Sequence, residues 1–154
     1  MTDAVTIRRA TQADLPAIVR MLADDPLGKT RERYAEPLPE AYLQAFAEVE
    51  AQKGNQILVA EAKGQVIGCL QLTLIPGLTR LGMTRAQIEG VRVDAGRRGE
   101  RIGEKLFLDA IERARKAGCG LVQLTTDASR PDAHRFYERL GFVASHVGMK
   151  LALT

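Results

Sequence analysis

The sequence has few of the features that mark secreted, membrane-spanning or disulfide-stabilised proteins. It contains only two cysteines, Cys69 and Cys119, and both lie within apolar runs, which favours buried thiols in a reducing compartment. No stretch approaches the roughly 18 consecutive apolar residues of a membrane span. The N-terminal residues lack the basic-then-apolar layout of a secretory signal. We therefore expect a cytoplasmic protein that does not bind a membrane.

The chain also has a small net charge and few aromatic side chains. The formal net charge is only +3, and aromatic residues make up 5% of the chain. Nucleic-acid-binding proteins usually show a strongly basic surface or an aromatic stacking platform, and neither is indicated here. The two histidines and two cysteines have no metal-ligand spacing. The composition therefore predicts no nucleic-acid partner and no metal, and it confines any basic site to a short segment.

The sequence does have enough apolar residues for a self-sufficient core. A chain of 154 residues with 45% hydrophobic content is about the size of one domain, and a domain of that size buries roughly two-thirds of its unfolded surface. We therefore treat residues 1–154 as a single domain. Strand and helix patterns alternate along it, which is typical of an α/β fold.

Hydrophobic periodicity, capping residues and turn residues locate the elements. The first predicted elements are a strand over 5–10, a helix that starts at the Thr-x-x-Asp of 11–14 and ends near 24–26, and a helix over 39–52. Two strands joined by a Lys63-Gly64 turn follow, and then a strand over 86–93 and a helix over 99–116. The last predicted elements are a strand over 121–126, a short helix over 131–140, and one or two closing strands within 142–153.

The segment RRGERIGEKLF, residues 97–107, places positive charge and glycine at the start of a helix. Its apolar residues recur at helical spacing, which docks the helix on a sheet and holds its first turn in place. The first N–H groups of a helix lack intrahelical partners and carry a partial positive charge. Gly99 and Gly103 leave the backbone open, and Arg98 or Arg101 can donate charged hydrogen bonds, so this turn is predicted to bind phosphate oxygens. The alternative is a solvated basic turn.

Neither a nucleotide P-loop nor a dinucleotide fingerprint fits these residues. The segment resembles the pyrophosphate loop of the GNAT N-acetyltransferase family, Gln/Arg-x-x-Gly-x-Gly/Ala, here Arg98 to Gly103, with Arg101 in place of the first glycine. A second stretch, PDAHRFYERLGF (131–142), resembles the second signature of the family, although Arg130 replaces a frequent asparagine. One helix and one strand separate the two stretches, as in the family.

This resemblance implies a fold, a reaction and a co-substrate. The fold is a mixed, mostly antiparallel sheet of six to seven strands, splayed between strands four and five and flanked by about four helices. The reaction is transfer of an acetyl group from acetyl-coenzyme A to a primary amine in a ternary complex. The residues that the resemblance assigns to binding acetyl-coenzyme A are Val91, Arg92, Val93, Arg98, Gly99, Glu100, Arg101, Ile102, Gly103 and His134.

The resemblance also assigns two catalytic roles. An amine with a pKa of about 10 must lose a proton before it attacks a thioester, and Glu89 resembles the general base of many family members. An ionisable side chain inside an apolar strand loses hydration, which would move it toward the range useful for a base. Strand alternation predicts that Glu89 shares a face with Val91 and Val93 and lies opposite Arg92.

Tyr137 resembles the family's general acid, which protonates the departing thiolate. Each catalytic assignment has a structural alternative. Glu89 is equally explained as a surface residue or as a partner of Arg92 or Arg98, and Tyr137 as a core residue beside Phe136.

The amine that accepts the acetyl group is the part of the reaction that the sequence determines least. A small-molecule amine is the first expectation and a protein N-terminus or lysine the second, with Asp24, Asp25 or Glu36 available to attract a cationic amine. The unusual Arg101 and Arg130 motivate an alternative of another class, an acyl-coenzyme A sensor without turnover. A nucleotide-phosphate enzyme that uses the same turn is a third reading. An apolar closing hairpin, if exposed, is compatible with a homodimer.

Overall fold

The computed structural model describes residues 4–129 and 131–154. Internal contacts divide the chain into two compact units, one up to Gln123 and one from Leu124 on.

The first unit is built on a five-stranded sheet whose spatial order follows the sequence. The strands are β1 (Thr6–Arg9), β2 (Asn55–Ala62), β3 (Gln65–Ile75), β4 (Arg85–Val93) and β5 (Leu121–Gln123). The first three pairs are antiparallel and β4–β5 is parallel. The mixed, mostly antiparallel sheet is therefore confirmed. The Lys63-Gly64 turn between β2 and β3 is also confirmed, since both residues have the positive φ of a tight hairpin turn.

The predicted number of six to seven strands was too high. Residues 142–154 form no strand in the part of the chain that the structure describes. Apolar alternation shows which face of an extended segment can be buried, but a strand also needs a neighbouring backbone to complete its hydrogen bonds. The alternation over 142–153 was therefore insufficient evidence for a strand.

The described residues contain four longer helices, as predicted. They are α1 (Leu15–Ala23), α3 (Glu40–Ala51), α5 (Ile102–Lys116) and α6 (Pro131–Arg139), with single turns α2 (Gly28–Arg31) and α4 (Thr79–Gly82) that were not predicted. The predicted start of α5 at Gly99 was three residues too early. Gly99 has φ +90° and Arg101 has φ +61°, and neither angle occurs within a right-handed helix. None of the helices in the described ranges is long and apolar enough to cross a membrane.

One face of the sheet packs against α5, and the buried side chains between them are apolar. Gly68 of β3 lies so close to this helix that a Cβ there would be 2.9 Å from Leu106 Cδ1 and 3.0 Å from Ile102 Cγ2. A side chain at this position would push against both residues, so glycine lets the helix pack close to the strand. The largest fully buried sheet side chains on this face are Leu58, Leu70, Leu72 and Ile88. This packing fixes where the first turn of α5 lies.

The opposite face packs against α1 and α3. Its apolar cluster contains Ala10, Leu15, Ile18, Met21, Phe46, Val59 and Cys69. The Thr-x-x-Asp start is confirmed as a capping box, in which Thr11 N–H donates to Asp14 at 2.7 Å. Asp14 also accepts two hydrogen bonds from Arg8 of β1, at 2.8 and 3.0 Å. These bonds tie the start of α1 to the sheet.

The second unit contains α6 and the extended residues that follow it. Gly141 ends the helix at φ +98°, as the sequence predicted. The ring of Tyr137 makes edge-on contacts with Phe136 and Phe142, with centroids 5.5 and 6.1 Å apart. This aromatic cluster holds the tyrosine ring in place.

Candidate active site

A β-bulge in β4 sets the geometry of the candidate site. Gln71 of β3 lies opposite Glu89 and Cys69 lies opposite Arg92, so Gly90 and Val91 together face the single residue Leu70. Gly90 has φ +64°, which is the left-handed conformation that a bulge of this type requires and that glycine adopts without strain.

The bulge overturns the predicted face of Glu89. Residues directly opposite each other in an antiparallel pair point to the same side of the sheet, and Gln71 and Cys69 share one face of β3. Glu89 and Arg92 therefore lie on the same face, and Val93, opposite Gly68, lies on the other. The prediction assumed strict alternation through Gly90. The bulge adds one residue to β4 there, so the side chains of Arg92 and Val93 point to the faces opposite to those predicted.

Glu89 is exposed, so the burial expected for a carboxylate inside an apolar strand is wrong. Its strand neighbours Ile88 and Ala86 are buried, because their side chains point to the α5 face. The carboxylate instead stands on the α1 face at the point where β4 bulges. It is therefore accessible to a substrate or to water.

Arg92, on the same face of β4 as Glu89, is held by two groups. Its Nη1 donates to the carbonyl of Val91 at 2.8 Å, and its Nη2 lies 3.2 Å from Asp25 Oδ2. Its Nε is buried and has no hydrogen-bond partner among the residues described. Cys69 lies opposite on β3, and burial raises the pKa of its thiol to about 12, so this thiol is not a nucleophile at neutral pH. Arg92 thus connects β4 to the residue that follows α1.

The sheet opens along β4. β5 pairs with β4 at only three positions, and the last pair is Gln87 with Gln123, whose side chains also share a 3.0 Å hydrogen bond. From Ile88 to Val93 the β5 side of β4 has no strand partner in the described sheet. The predicted splay is therefore confirmed. Backbone N–H groups of β4 that point to this side are available to a ligand.

The open edge of β4 leads directly into the turn before α5. A 3₁₀ turn over Ala95–Arg97 follows the strand, with Asp94 accepting from Gly96 N–H at 2.9 Å. Arg98 and Gly99 are exposed, and α5 begins at the buried Ile102. The sequence-predicted residues from Arg98 to Gly103 therefore form one continuous turn at a helix N-terminus whose position the α5 packing fixes.

Arg101 occupies a left-handed position in this turn. It is the N-cap of α5, with φ +61° and ψ +29°, and its side chain makes no capping hydrogen bond. The family glycine that it replaces would adopt this conformation without strain, whereas arginine adopts it at a cost of about 1–2 kcal/mol. The substitution therefore places a strained residue at the N-cap of α5.

The charges of the turn are arranged to leave two guanidinium groups available. Arg97 Nε lies 3.0 Å from Glu100 Oε2, so the only acid of the turn is neutralised internally. Arg98 and Arg101 are exposed, and neither forms an ion pair with any residue in 4–129 or 131–154. The N–H groups of Ile102, Gly103 and Glu104 lie in the first turn of α5 and have no partner within the helix. This combination is suited to an anion such as a diphosphate.

A small cleft of about 60 Å³ lies where β4 enters this turn. Its walls come from the last turn of α1 and from the residues that follow β4, and they comprise Arg20, Met21, Asp24, Val93, Asp94 and Ala95. Two of the three predicted amine-attracting acids have other partners. Asp25 is paired with Arg92, and Glu36 accepts a hydrogen bond from Tyr34 at 2.5 Å. Asp24 remains as the predicted acid that lines the cleft.

The second unit holds the other two predicted residues. Tyr137 is half-buried and lies in the aromatic cluster with Phe136 and Phe142. His134 is half-buried, and its Nε2 is buried without a hydrogen-bond partner in the described parts of the chain. Arg130, which replaces a family asparagine, lies outside the described residues.

Sequence reasoning missed two features of the site. The bulge had a signal, since a glycine inside a strand pattern often marks one, and Gly90 interrupts QIEGVRV. The Arg92–Asp25 pair had no such signal, because the two residues are far apart in sequence and meet only through the docking of α1. The described residues contain no cluster of three or more His, Cys, Asp or Glu side chains suited to a metal ion.

Comparison with known proteins identifies a family match. A model of the acetyltransferase (GNAT) family matches residues 17–142. A glucosamine 6-phosphate N-acetyltransferase from Trypanosoma brucei brucei is 32% identical over 99% of this chain and 100% of its own length. An aminoalkylphosphonate N-acetyltransferase from Salmonella typhimurium is 31% identical over 96% of this chain and 90% of its own length.

A solved structure is also closely similar. The crystal structure of a transcriptional regulator from Bacillus halodurans is 53% identical, with a TM-score of 0.95, over 97% of this chain and 100% of that chain.

Proposed function

This chain belongs to the acetyltransferase (GNAT) family and is an acyltransferase, and we propose that it transfers the acetyl group of acetyl-coenzyme A to the primary amine of a small molecule. The observation that carries this proposal is the continuity between the open edge of β4 and the turn from Arg98 to Gly103. A diphosphate at that turn would direct the attached thioester arm along the strand.

The turn binds through backbone N–H groups and two arginines. The first N–H groups of α5 point out of the helix end, and Arg98 and Arg101 supply charge-assisted hydrogen bonds to phosphate oxygens. Internal pairing of Glu100 with Arg97 prevents the carboxylate from repelling the ligand. The full set proposed for this role is Arg98, Gly99, Glu100, Arg101, Ile102 and Gly103.

The backbone of Val91 and Val93 binds the carbonyl group of the thioester. The amine nitrogen attacks the carbonyl carbon of the thioester, and the carbonyl oxygen gains negative charge as the tetrahedral intermediate forms. A backbone N–H on the open edge of β4 stabilises that oxygen. The carbon–sulfur bond then breaks, and the thiolate leaves with its electron pair.

Glu89 accepts the proton that the attacking amine loses. Its position on an exposed part of the α1 face allows a direct transfer or a transfer through water. Arg92, on the same face, is already bound to Asp25 and the Val91 carbonyl, which holds the β4 bulge in shape rather than neutralising Glu89.

Tyr137 protonates the departing thiolate, and His134 contacts the cofactor edge. The contacts with Phe136 and Phe142 fix the tyrosine ring, and the unpartnered Nε2 of His134 supports a ligand contact. The family match crosses from the first unit into the second, because it runs from residue 17 to residue 142. This supports our proposal that residues 1–154 act as one acetyltransferase domain.

The acceptor is proposed to be a small amine that also carries an anionic group. The two curated relatives are named for glucosamine 6-phosphate and for aminoalkylphosphonates, and both compounds combine an amine with a phosphorus oxyanion. The cleft beside β4 offers Asp24 to an ammonium group and Arg20 to an anion. Neither a protein amine nor a metal enters this proposal.

The test measures release of free thiol from acetyl-coenzyme A in the presence of these two amine classes and of neutral amines. We expect release above the buffer rate, and about a 10²–10⁴-fold loss of kcat in Glu89→Gln. Tyr137→Phe should lower kcat more than it weakens coenzyme A binding. Glu48→Gln, an exposed glutamate on α3, is the matched control and should retain activity. Tight coenzyme A binding without thiol release for any amine would instead identify a sensor.

A further inference from the structure

A line of neutral polar side chains crosses one end of the α1 face of the sheet. Asn55 of β2 lies opposite Thr73 of β3. Thr73 in turn lies opposite Gln87 of β4, and Gln87 is paired with Gln123 of β5. Residues paired in this way point to the same side of a sheet, and the 3.0 Å hydrogen bond between the side chains of Gln87 and Gln123 agrees with this. We call these four residues the polar row.

Glu89, the proposed base, borders the polar row. Gln71 lies directly opposite Glu89 on the same face, two residues along β3 from Thr73. Two residues of a strand span about 7 Å, and neighbouring strands lie about 5 Å apart. A small molecule whose amine reaches Glu89 therefore also reaches Gln71 and Gln87. The row lies on the side of Glu89 away from the cleft at Val93.

The polar row differs from the rest of the α1 face in burial and in chemistry. Further along the same strands, Val59 and Cys69 are buried in the apolar cluster. The four residues of the row and Gln71 are only half-buried. None of these five side chains carries a charge. The row is therefore a neutral surface that a small polar ligand can reach.

Hydrogen bonds hold the side chains of this surface in place but use only part of their capacity. Gln71 Nε2 donates to Asn55 Oδ1 at 3.0 Å, and Thr73 Oγ1 donates to the same oxygen at 3.2 Å. Gln123 Nε2 donates to Gln87 Oε1. The amide NH₂ of Gln87 and the amide oxygens of Gln71 and Gln123 form no hydrogen bond within the part of the chain that the structure describes. Donors and acceptors with fixed positions thus stand side by side.

A hydroxyl group matches this surface better than a charged group does. A hydroxyl both donates and accepts hydrogen bonds, whereas an ammonium group only donates and an ionised phosphate mainly accepts. Charged groups of a substrate also require a charge of opposite sign, which the polar row lacks. Glu89, Asp24 and Arg20 supply such charges elsewhere on the proposed acceptor site.

We propose that the polar row and Gln71 bind hydroxyl groups of the acceptor, so that the preferred acceptor is an amino sugar rather than a simple aminoalkyl compound. This inference rests on the proposed function, because it places the reacting amine at Glu89. Gln71, Gln87 and Gln123 contact the hydroxyl groups and determine specificity. Asn55 is a positioning residue, because it orients Gln71 and Thr73.

The test compares kcat/KM for glucosamine 6-phosphate with kcat/KM for aminoethylphosphonate, which has an amine and a phosphorus oxyanion but no hydroxyl on carbon. Gln87→Met and Gln71→Met each remove an amide while keeping the side chain long. Each should lower kcat/KM for the amino sugar about 10-fold or more and change that for aminoethylphosphonate less than about 2-fold. Gln56→Met is the matched control, because Gln56 is a half-buried glutamine of β2 on the α5 face, and it should leave both values unchanged.

Calorimetric titration of glucosamine 6-phosphate in the presence of coenzyme A separates this inference from the proposed function. Weaker binding in Gln71→Met and Gln87→Met, but not in Gln56→Met, supports the inference even if no thiol is released. Unchanged binding in both row-side variants would overturn it. Equal losses of kcat/KM for the two acceptors would also overturn it, while leaving acetyl transfer itself established.

Discussion

The two faces of the central sheet are built on different principles. The buried side chains between the sheet and α5 are apolar, and Leu106 and Phe107 are completely buried there. The α1 face combines an apolar cluster with charged groups, and an arginine of the sheet holds α1 near each end. Arg8 of β1 binds Asp14 before the helix, and Arg92 of β4 binds Asp25 after it.

The difference shows how one sheet can support both rigidity and chemistry. Nondirectional apolar packing is enough to hold α5, whose role is to keep its N-terminus at the end of β4. The α1 face must tolerate Glu89 and a polar cleft, so its helix is positioned by an ion pair near each end. Substitutions on the two faces should therefore differ in size and in dependence on pH.

The largest effect is expected on the apolar face. Leu106→Ala should lower the free energy of unfolding by about 3–4 kcal/mol, because it leaves a cavity in a fully packed region. Leu108→Ala is the matched control on the same helix, since Leu108 is 53% exposed, and it should cost less than about 0.5 kcal/mol. Urea unfolding measures both. Similar losses in the two variants would mean that α5 is not held by this packing.

The next effect concerns the ion pair beside the bulge. Arg92→Met should cost about 2–3 kcal/mol, because it leaves the Asp25 carboxylate in a site where it retains little exposure. Adding Asp25→Leu should recover part of this loss. Arg115→Met breaks the exposed pair of Arg115 with Glu112 and should cost less than about 0.5 kcal/mol. If the Arg92 and Arg115 variants unfold at the same urea concentration, the ion pair between Arg92 and Asp25 does not hold α1.

A smaller and pH-dependent effect is expected at the other end of α1. The hydrogen bonds from Arg8 hold the pKa of the Asp14 carboxyl below its ordinary value, although burial opposes this. A lowered folded pKa contributes stability above the ordinary pKa of about 3.9 and loses it as pH falls toward the lowered value. Asp14→Asn should therefore cost about 1–2 kcal/mol at pH 7, and the difference between the variant and the unsubstituted protein should shrink as the pH falls below the ordinary carboxyl pKa of about 3.9.

Glu50→Gln is the control for that titration, because Glu50 forms a longer, exposed contact of 3.4 Å with Arg9. It should cost less than about 0.5 kcal/mol. Thermal unfolding from pH 7 to pH 2.5 checks both variants. A cost for Asp14→Asn that persists unchanged at the lowest pH would show that the capping geometry, rather than the charge, is responsible.

The smallest effect is expected where α5 begins. Arg101→Gly should raise stability by up to about 1 kcal/mol, because glycine adopts the left-handed conformation without strain. Arg98→Gly removes the same charge from a residue with φ −67°, and it should lower stability by about 0.5 kcal/mol. Thermal unfolding resolves the opposite signs. A loss of stability in both variants would contradict the strain assigned to Arg101.

Local signals predicted most of the elements because each depends on a few neighbouring residues. The capping box at Thr11 and the Lys63-Gly64 turn illustrate this. The predictions of where α5 starts and of the sheet face on which Arg92 lies were wrong. In both places a residue in the left-handed conformation interrupts the helix or strand, and the hydrophobic pattern of the sequence does not show this. The predicted closing strand within 142–153 failed for another reason, since strand pairing requires a distant backbone. The Arg92–Asp25 contact depends on tertiary docking, which no local pattern reports.

At Gly90 the alternation of side chains along β4 shifts by one residue. Before it, alternate residues such as Ile88 point toward α5, and after it the alternation restarts one step later, so that Val93 fills that layer and Arg92 does not. A deletion of Gly90 would rotate the rest of the strand by half a turn, and the guanidinium group would then enter the apolar layer beneath Ile102. The local chain length, as much as residue identity, is therefore constrained at this position.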